Sequence, residues 1–296
     1  MKKEIKELPT EENANLEEPK KKKHIILKII GILFLIFCLA LAYAHFIGTK
    51  GYIIKEYKVE SSKIPEEMNG LKIVHFSDLH YATTINNKEM QKIVKKINEL
   101  KPDIVVFTGD LLDKNHQLND SQKQELINNL KNINATLFKY TVSGNHDYSD
   151  DTFIDIFDKS NFKYLSNESQ DIYYNSETPI TIYGFPSSIS DSPDYSILNP
   201  NNTNFRLVIL HEPDSIIDII NSKPDLVLSG HSHGGQVRFP FIGAIYTPIG
   251  SKKYYESYYK INETELFISS GIGTSGWEIR FFNHPSINLY RLYSTN

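Results

Sequence analysis

The chain has 296 residues, of which 40% are hydrophobic and 23% charged. These values exclude a wholly disordered or collagen-like chain and leave room for one or two domains. Thirty-two Lys and Arg stand against 36 Asp and Glu, a net charge of −4, so the chain as a whole is not a basic polyanion binder. A single cysteine excludes an internal disulfide framework and any cysteine-rich zinc module. The charge is unevenly laid out. Residues 1–48 carry eight Lys and six acidic residues, net +2, which leaves the remainder at net −6.

Residues 1–24 are polar and charged, an expected disordered tail that ends in the basic run Lys20 to Lys23. From Ile29 to Gly48 there is no Asp, Glu, Lys or Arg. About 20 apolar residues cross a hydrocarbon core of about 30 Å, so residues 25–48 are expected to form a transmembrane anchor. Lys20 to Lys23 and Lys28 crowd one end, whereas Lys50, Lys55 and Lys58 are mixed with Glu56 and Glu60. That bias sets the amino end in the cytoplasm and the rest of the chain outside it. Ala42-Tyr43-Ala44 has the form of a signal-peptide cleavage site. The apolar run is longer than a signal core of about 7–15 residues, which favours an anchor that stays attached.

Beyond residue 51, strand-like runs alternate with helical patterns, predicting one α/β domain over 51–296. Strands are expected at 52–59, 71–76, 103–108, 139–143, 180–185, 206–210, 225–229, 265–269 and 286–292. Met90, Ile93, Val94, Ile97 and Leu100 recur at helical spacing and Pro102 ends their helix. Further helices are expected over 120–133, 151–159 and 214–221, and a long loop over 186–204.

The metal-loving residues follow the strands. KIVHFSDLH delivers Asp78 and His80, DIVVFTGDLLD delivers Asp110, and YTVSGNHDY delivers Asn145, His146 and Asp147. RLVILHEP delivers His211, and DLVLSGHSHGGQ delivers His231 and His233. Each piece alone is an ordinary turn or a hydrogen-bonded histidine. Five in a row, each at the carboxyl end of an apolar strand, point to a ligand site, because that edge is where α/β sheets bind ligands. Imidazole nitrogens mixed with carboxylate oxygens, and no thiolate, suit Mn, Fe or Zn.

D-x-H, G-D-x-x-D, G-N-H-D, a strand-end His and G-H-x-H closely resemble the calcineurin-like metallophosphoesterases over 71–235. GHSHGGQVRFP and GIGTSGWEIRF look like its YkuE/YaeI-type bacterial branch, whose members carry an amino-terminal membrane segment. The resemblance implies a four-layer α/β/β/α sandwich holding two divalent metal ions. It implies Asp78, His80, Asp110 and His233 around the first metal and Asp110, Asn145, His211 and His231 around the second, with Asp110 shared. A pair of cations about 3.5–4 Å apart activates water and clamps the attacking and leaving oxygens.

His146, next to the ligand Asn145, reads as a protonated imidazole that donates to the leaving group, with Asp147 orienting it or capping a turn. Asp113 reads as supporting or structural. His75, His116 and His284 read as structural histidines. Arg238 and Arg280 are either phosphate clamps or surface ion pairs. SKKYYESYYK (251–260) and Trp277 fit either an amphipathic rim for a lipid headgroup or an edge strand.

The expected activity is membrane-anchored hydrolysis of phosphodiester or pyrophosphate bonds in an envelope or lipid-linked substrate, or in a phosphorylated small molecule. A phosphomonoesterase and a non-catalytic, metal-dependent envelope binding protein are the rivals. The acidic domain speaks against nucleic acid as the substrate.

Overall fold

The structure, a computed structural model, describes residues 18–147 and 151–296. Two compact units divide the chain, one ending at Tyr43 and the other running from Ala44 to Asn296. Helix α1 spans Glu18–Phe46. Its portion Lys23–Phe46, 24 residues of mean hydropathy 3.0, is long and apolar enough to cross a membrane. At 1.5 Å per residue that portion measures ~36 Å. Residues 18–24, expected in the disordered tail, already belong to this helix. Pro19 stands in the first turn, where a missing N–H costs no hydrogen bond, so the helix runs on through the basic residues. The rest of the expected tail, 1–17, lies outside the described residues.

The second unit follows the predicted alternation. Its elements are β1 (Ile53–Ser61), β2 (Lys72–Phe76), α2 (Asn87–Leu100), β3 (Ile104–Thr108), α3 (Asp120–Lys131), β4 (Phe138–Val142), α4 (Thr152–Lys159), β5 (Lys163–Tyr164), β6 (Glu168–Ile172) and β7 (Ile180–Gly184). They continue with β8 (Phe205–Ile209), α5 (Ile216–Ile219), β9 (Leu226–Ser229), β10 (Arg238–Phe239), β11 (Gly243–Ala244), β12 (Tyr258–Ile261), β13 (Thr264–Ile268) and β14 (Ser286–Ser294). The 214–221 helix shrinks to the four residues of α5, flanked by 3-10 turns.

Helix α2 shows why these residues fold as they do. Asn86 accepts the Glu89 backbone N–H, and the Glu89 carboxylate accepts the Asn86 backbone N–H, which closes the amino end. Met90, Ile93, Val94 and Ile97 form one buried stripe. Lys101 adopts φ 52° and ends the helix just before Pro102. Truncating the fully buried Ile97 to Ala would cost about 2–5 kcal/mol.

The strands form two six-stranded sheets, in the orders β1-β14-β2-β3-β4-β5 and β12-β13-β9-β8-β7-β6. Between the sheets lie Ile73, Ile104 and Val106 from the first and Ile182, Leu207 and Leu228 from the second. On the first sheet's outer face Val74, Phe76, Val105 and Phe107 pack on α2, α3 and α4. On the second sheet's outer face Tyr183, Val208 and Val227 cluster with Ile216 and Ile219 of α5. This is the expected α/β/β/α sandwich, and β2, β3 and β4 run parallel to one another in one sheet, as β8 and β9 do in the other.

Candidate metal centre

Every predicted ligand lies within four residues of the carboxyl end of β2, β3, β4, β8 or β9, so one edge of the sandwich collects them all. Asp78, His80, Asp110, His231 and His233 have positive φ, at 52°, 45°, 58°, 64° and 47°. A side chain in this left-handed region costs about 1–3 kcal/mol unless its surroundings hold it. Here they do: the Asp78 backbone N–H reaches Gly109 O at 2.9 Å and the His80 N–H reaches Asp110 O at 3.3 Å. A Cβ on Gly109 would collide with the Gly144 backbone, and one on Gly144 with the Asp110 carboxylate. The glycines of the G-D and G-N-H motifs therefore let two loops touch.

The side chains gather in two adjoining groups, Asp78–His80–His233 and Asp110–His211–His231. In the first, His233 Nε2 lies 3.5 Å from Asp78 Oδ1 and 3.2 Å from His80 Nε2. In the second, His211 Nε2 lies 3.3 Å from Asp110 Oδ2 and 3.2 Å from His231 Nδ1. Asp110 Oδ2 is also 4.0 Å from His80 Nε2, so Asp110 stands between the groups.

The donor set fits divalent cations. His211 Nδ1 faces Thr108 O at 2.6 Å, and His231 Nε2 faces Ile249 O at 2.6 Å. A carbonyl only accepts, so these nitrogens carry protons, and in the neutral rings His211 Nε2 and His231 Nδ1 are the atoms left with lone pairs for the site. Asp113 Oδ1, 2.6 Å from His80 Nδ1, fixes the third imidazole with Nε2 free. Asn145 Oδ1 is a buried acceptor with no protein donor. Burial pushes the Asp78 carboxyl up to about 6, against the pull of His211. Burial would raise Asp110 too, but His211, His146 and His80 hold it well below the usual carboxylate range. Buried carboxylates and lone pairs aimed at one space repel one another, and positive charge between them relieves that repulsion.

His146 lines a cavity of about 140 Å³ together with Asp110, Asn145, His231 and His233. Its Nδ1 accepts the Lys114 backbone N–H at 3.1 Å, which places the proton of the neutral ring on Nε2. Burial lowers its pKa, with Asp110 opposing. Asp147 does not orient His146. Its carboxylate accepts the backbone N–H groups of Asp110 at 2.8 Å, Leu111 at 2.9 Å and Gly144 at 2.8 Å, tying the two ligand loops together. The carboxylate near His146 is Asp113, 3.7 Å from its Nδ1. G-D-x-x-D carried that signal in its last residue.

The arginine expectations change as well. Arg238 is engaged by both oxygens of Glu256 at 2.6 and 2.8 Å and by Gly234 O at 2.9 Å, which makes it the ion pair rather than the phosphate clamp. Arg280 is wholly buried; its Nη2 donates to Ser270 O and Gly273 O, both at 2.6 Å, and lies 3.3 Å from His233 Nδ1. It braces the site from behind instead of gripping a substrate. Tyr254 and Tyr259 fold onto the second sheet's outer core and β12 is an edge strand, so the tyrosine stretch is not a rim. Trp277 remains 78% exposed. His75 is a buried structural histidine bonded to Thr108 Oγ1 at 2.8 Å.

Residues 71–235 match the family model described as calcineurin-like phosphoesterase. The chain belongs to that family. It is 31% identical over 259 residues to the uncharacterized metallophosphoesterase YkuE of Bacillus subtilis, covering 86% of this chain and 90% of that one. It is 27% identical over 253 residues to a transmembrane protein with metallophosphoesterase domain of Danio rerio, covering 79% of this chain and 56% of that one. It is also 27% identical over 287 residues to the UDP-2,3-diacylglucosamine pyrophosphatase LpxG of Chlamydia muridarum, covering 76% of this chain and 84% of that one. This calcineurin-like phosphoesterase is therefore a metal-dependent phosphoester hydrolase, with one apolar amino-terminal helix suited to a membrane anchor.

Proposed function

We propose that this protein is a membrane-anchored hydrolase that uses two divalent metal ions to cleave a phosphodiester or pyrophosphate bond in a lipid-linked substrate outside the cytoplasm. The observation that carries the reading is the pair of adjoining donor groups with Asp110 between them. Asp78, His80, Asp110 and His233 would hold one cation and Asp110, Asn145, His211 and His231 the other. When bound, such a pair polarises the phosphoryl group and lowers the pKa of water. The chain's own residues do the rest. His80, His211 and His231 are locked in single tautomers, and Asp147 fixes the distance between the Asp110 and Asn145 loops. His146 Nε2 would face the leaving oxygen, donating a hydrogen bond as the neutral ring and the proton itself once the ring is protonated.

The lipid-linked substrate is supported by the apolar helix and by the similarity to a pyrophosphatase that acts on a diacylated sugar nucleotide. Retention of the anchor is supported by Ala44, which is buried in the second unit and whose carbonyl accepts the Arg280 N–H at 2.9 Å. Cleavage after Ala44 would remove that bond. Orientation rests on the basic run Lys20 to Lys23.

The test combines metal analysis of the detergent-purified full chain with hydrolysis of a soluble diester, a soluble monoester and a diacylated sugar-nucleotide pyrophosphate. Two metal equivalents and fastest turnover of the lipid pyrophosphate are expected. Turnover of none of the three by the metal-loaded protein refutes the hydrolase reading, and preference for the monoester transfers it to the phosphomonoesterase.

A further inference from the structure

Exposed apolar side chains in the second unit concentrate in one place. Phe241, Ile242, Ile245 and Ile249 are 109%, 72%, 58% and 76% exposed, and Trp277 and Phe282 are 78% and 60% exposed. Two segments carry them, and hydrogen bonds join the segments. The hairpin β10–β11 pairs Arg238 with Ala244 and Phe239 with Gly243, which leaves Phe241 and Ile242 at its tip. The Arg238 N–H donates to Phe281 O at 2.9 Å, and Gln236 Nε2 donates to Trp277 O at 3.1 Å. The Phe239 and Phe281 rings are 5.5 Å apart, and those of Phe281 and Phe282 4.5 Å. Single exposed apolar groups are common on soluble proteins, whereas a joined cluster marks an interaction surface.

The chain itself indicates what covers this surface. The second unit begins at Ala44, within the last turn of the apolar helix, and its first residues are bonded to the same segment. Ala44 O accepts the Arg280 N–H at 2.9 Å, and His45 Nδ1 lies 2.7 Å from Glu278 O. Phe46 and Ile47, 69% and 58% exposed, add apolar surface at the start of this unit. A Cβ on Gly48 would collide with Arg280 O, so that close approach depends on a glycine. The hairpin part of the cluster is nearly free of charge, whereas the second segment carries the exposed Glu278 beside Trp277. Over residues 236–250 the one charged side chain is Arg238, and Glu256 neutralises it. Beside it, Lys252 places its ammonium 4.7 Å from the Tyr246 ring centre.

We infer that the β10–β11 hairpin, with Trp277 and Phe282, inserts into the outer surface of the bilayer that carries the protein's own anchor. The inference rests on the membrane-anchored reading and deepens it. The same hairpin ends at the metal centre: Tyr246 and Pro248 line the cavity with Asp110 and Asn145, and Ile249 O accepts the His231 Nε2–H. A docked hairpin therefore holds the opening of the site at headgroup depth. A phosphate still attached to its lipid reaches the cavity there without leaving the membrane.

The chain contains one tryptophan, so Trp277 reports on its own surroundings. The full chain, metal-loaded and reconstituted in phosphatidylcholine vesicles, is compared in ordinary lipid and in lipid brominated on the acyl chains. Insertion predicts blue-shifted Trp277 emission that loses more than half its intensity in the brominated lipid, since an indole at the interface meets the quencher directly. The double variant Phe241→Asp/Ile242→Asp is expected to lose most of that quenching and most turnover of the diacylated pyrophosphate. Its turnover of a soluble diester is expected to stay at the wild-type level, which also shows that the variant is folded. Emission like that of indole in water, unchanged by bromine, overturns the inference. So does blue-shifted emission without quenching, because a second copy of the chain or another protein surface then covers the patch. Quenching in a protein that hydrolyses no diester leaves the docking intact and overturns the enzymatic reading alone.

Discussion

Asp113 is the residue whose importance the structure raises most, and its removal has a calculable effect. Its Oδ1 lies 2.6 Å from His80 Nδ1 while its side chain is only 27% exposed. Burial raises the Asp113 carboxyl, but the His80 hydrogen bond and charge hold it below the usual range. A hydrogen bond to a charged group is worth about 1.5–3 kcal/mol, and the loss appears at His80, whose Nε2 faces Asp110 and His233. At 1.4 kcal/mol per tenfold, Asp113→Ala should weaken retention of one cation about 10- to 100-fold. Asp113→Asn keeps an acceptor for the His80 N–H and should lose less than Ala. The assay is competition with a graded chelator, read as cations bound per chain, beside diester turnover at saturating metal. Turnover of Asp113→Ala should recover at least partly when metal is raised. If its metal affinity stays within about threefold of wild type, the carboxylate does not set the His80 tautomer and the reasoning fails.

Three other perturbations test the remaining parts of the site. Asp110→Asn removes the charge shared by both donor groups, and His146→Ala removes the Nε2–H; each should lower turnover about 10²–10⁴-fold while circular dichroism stays unchanged. Wild-type rates in either variant would place the chemistry elsewhere. Chelation should lower the melting temperature, because cations bound to the folded state at 100 times Kd add about 2.7 kcal/mol per site and their loss leaves buried carboxylates unpaired; an unchanged melting temperature argues against bound cations. For His75, burial lowers the pKa to about 3, so the neutral ring stabilises the fold above its unfolded value of about 6.5. That contribution fades as pH falls from about 6.5 toward 3, by about 2 kcal/mol between pH 7 and 5. Denaturant titrations of His75→Gln at both pH values should show a drop smaller by that amount, and equal drops would mean His75 titrates normally.

The parts legible in the sequence are those in which one physical demand acts on neighbouring residues. Apolar runs such as Ile104–Thr108, buried on both faces, can only be central strands. The helical stripe of α2 and the placing of Asp78, Asp110, His211 and His231 just past strand ends follow from local pattern too. The unpredicted elements answer to partners instead. Strand β6 is the polar run Glu168–Ile172 and is held by its pairing with β7. Strands β10 and β11 are two residues each and exist through a hairpin. Side-chain partnership was the least legible layer. Asp113 and Asp147 are both acidic residues following a ligand, and sequence neighbourhood assigns Asp147 to His146. The chain direction at Gly144 instead turns the Asp147 carboxylate back onto the backbone N–H groups of the Asp110 loop. Arg238 and Arg280 looked alike for the same reason, until Glu256 and the Ser270 and Gly273 carbonyls gave each its separate place.

These assignments divide the site into two kinds of work. The Asp147 carboxylate accepts backbone N–H groups and Arg280 Nη2 donates to backbone carbonyls, which stiffens loops whose predicted ligands sit at costly positive φ. Asp113 and the Thr108 and Ile249 carbonyls act on imidazoles and decide which nitrogen faces the cavity. Ile249 belongs to both sides of the problem, since its carbonyl faces His231 Nε2 and its side chain is exposed in the segment that follows the hairpin. A shift of that segment on reaching a bilayer would move a ligand's hydrogen-bond partner. On the proposed docking, membrane contact and metal geometry would be linked through a single residue, so turnover of even a soluble diester should respond to lipid if the segment moves and stay constant if it is already in place.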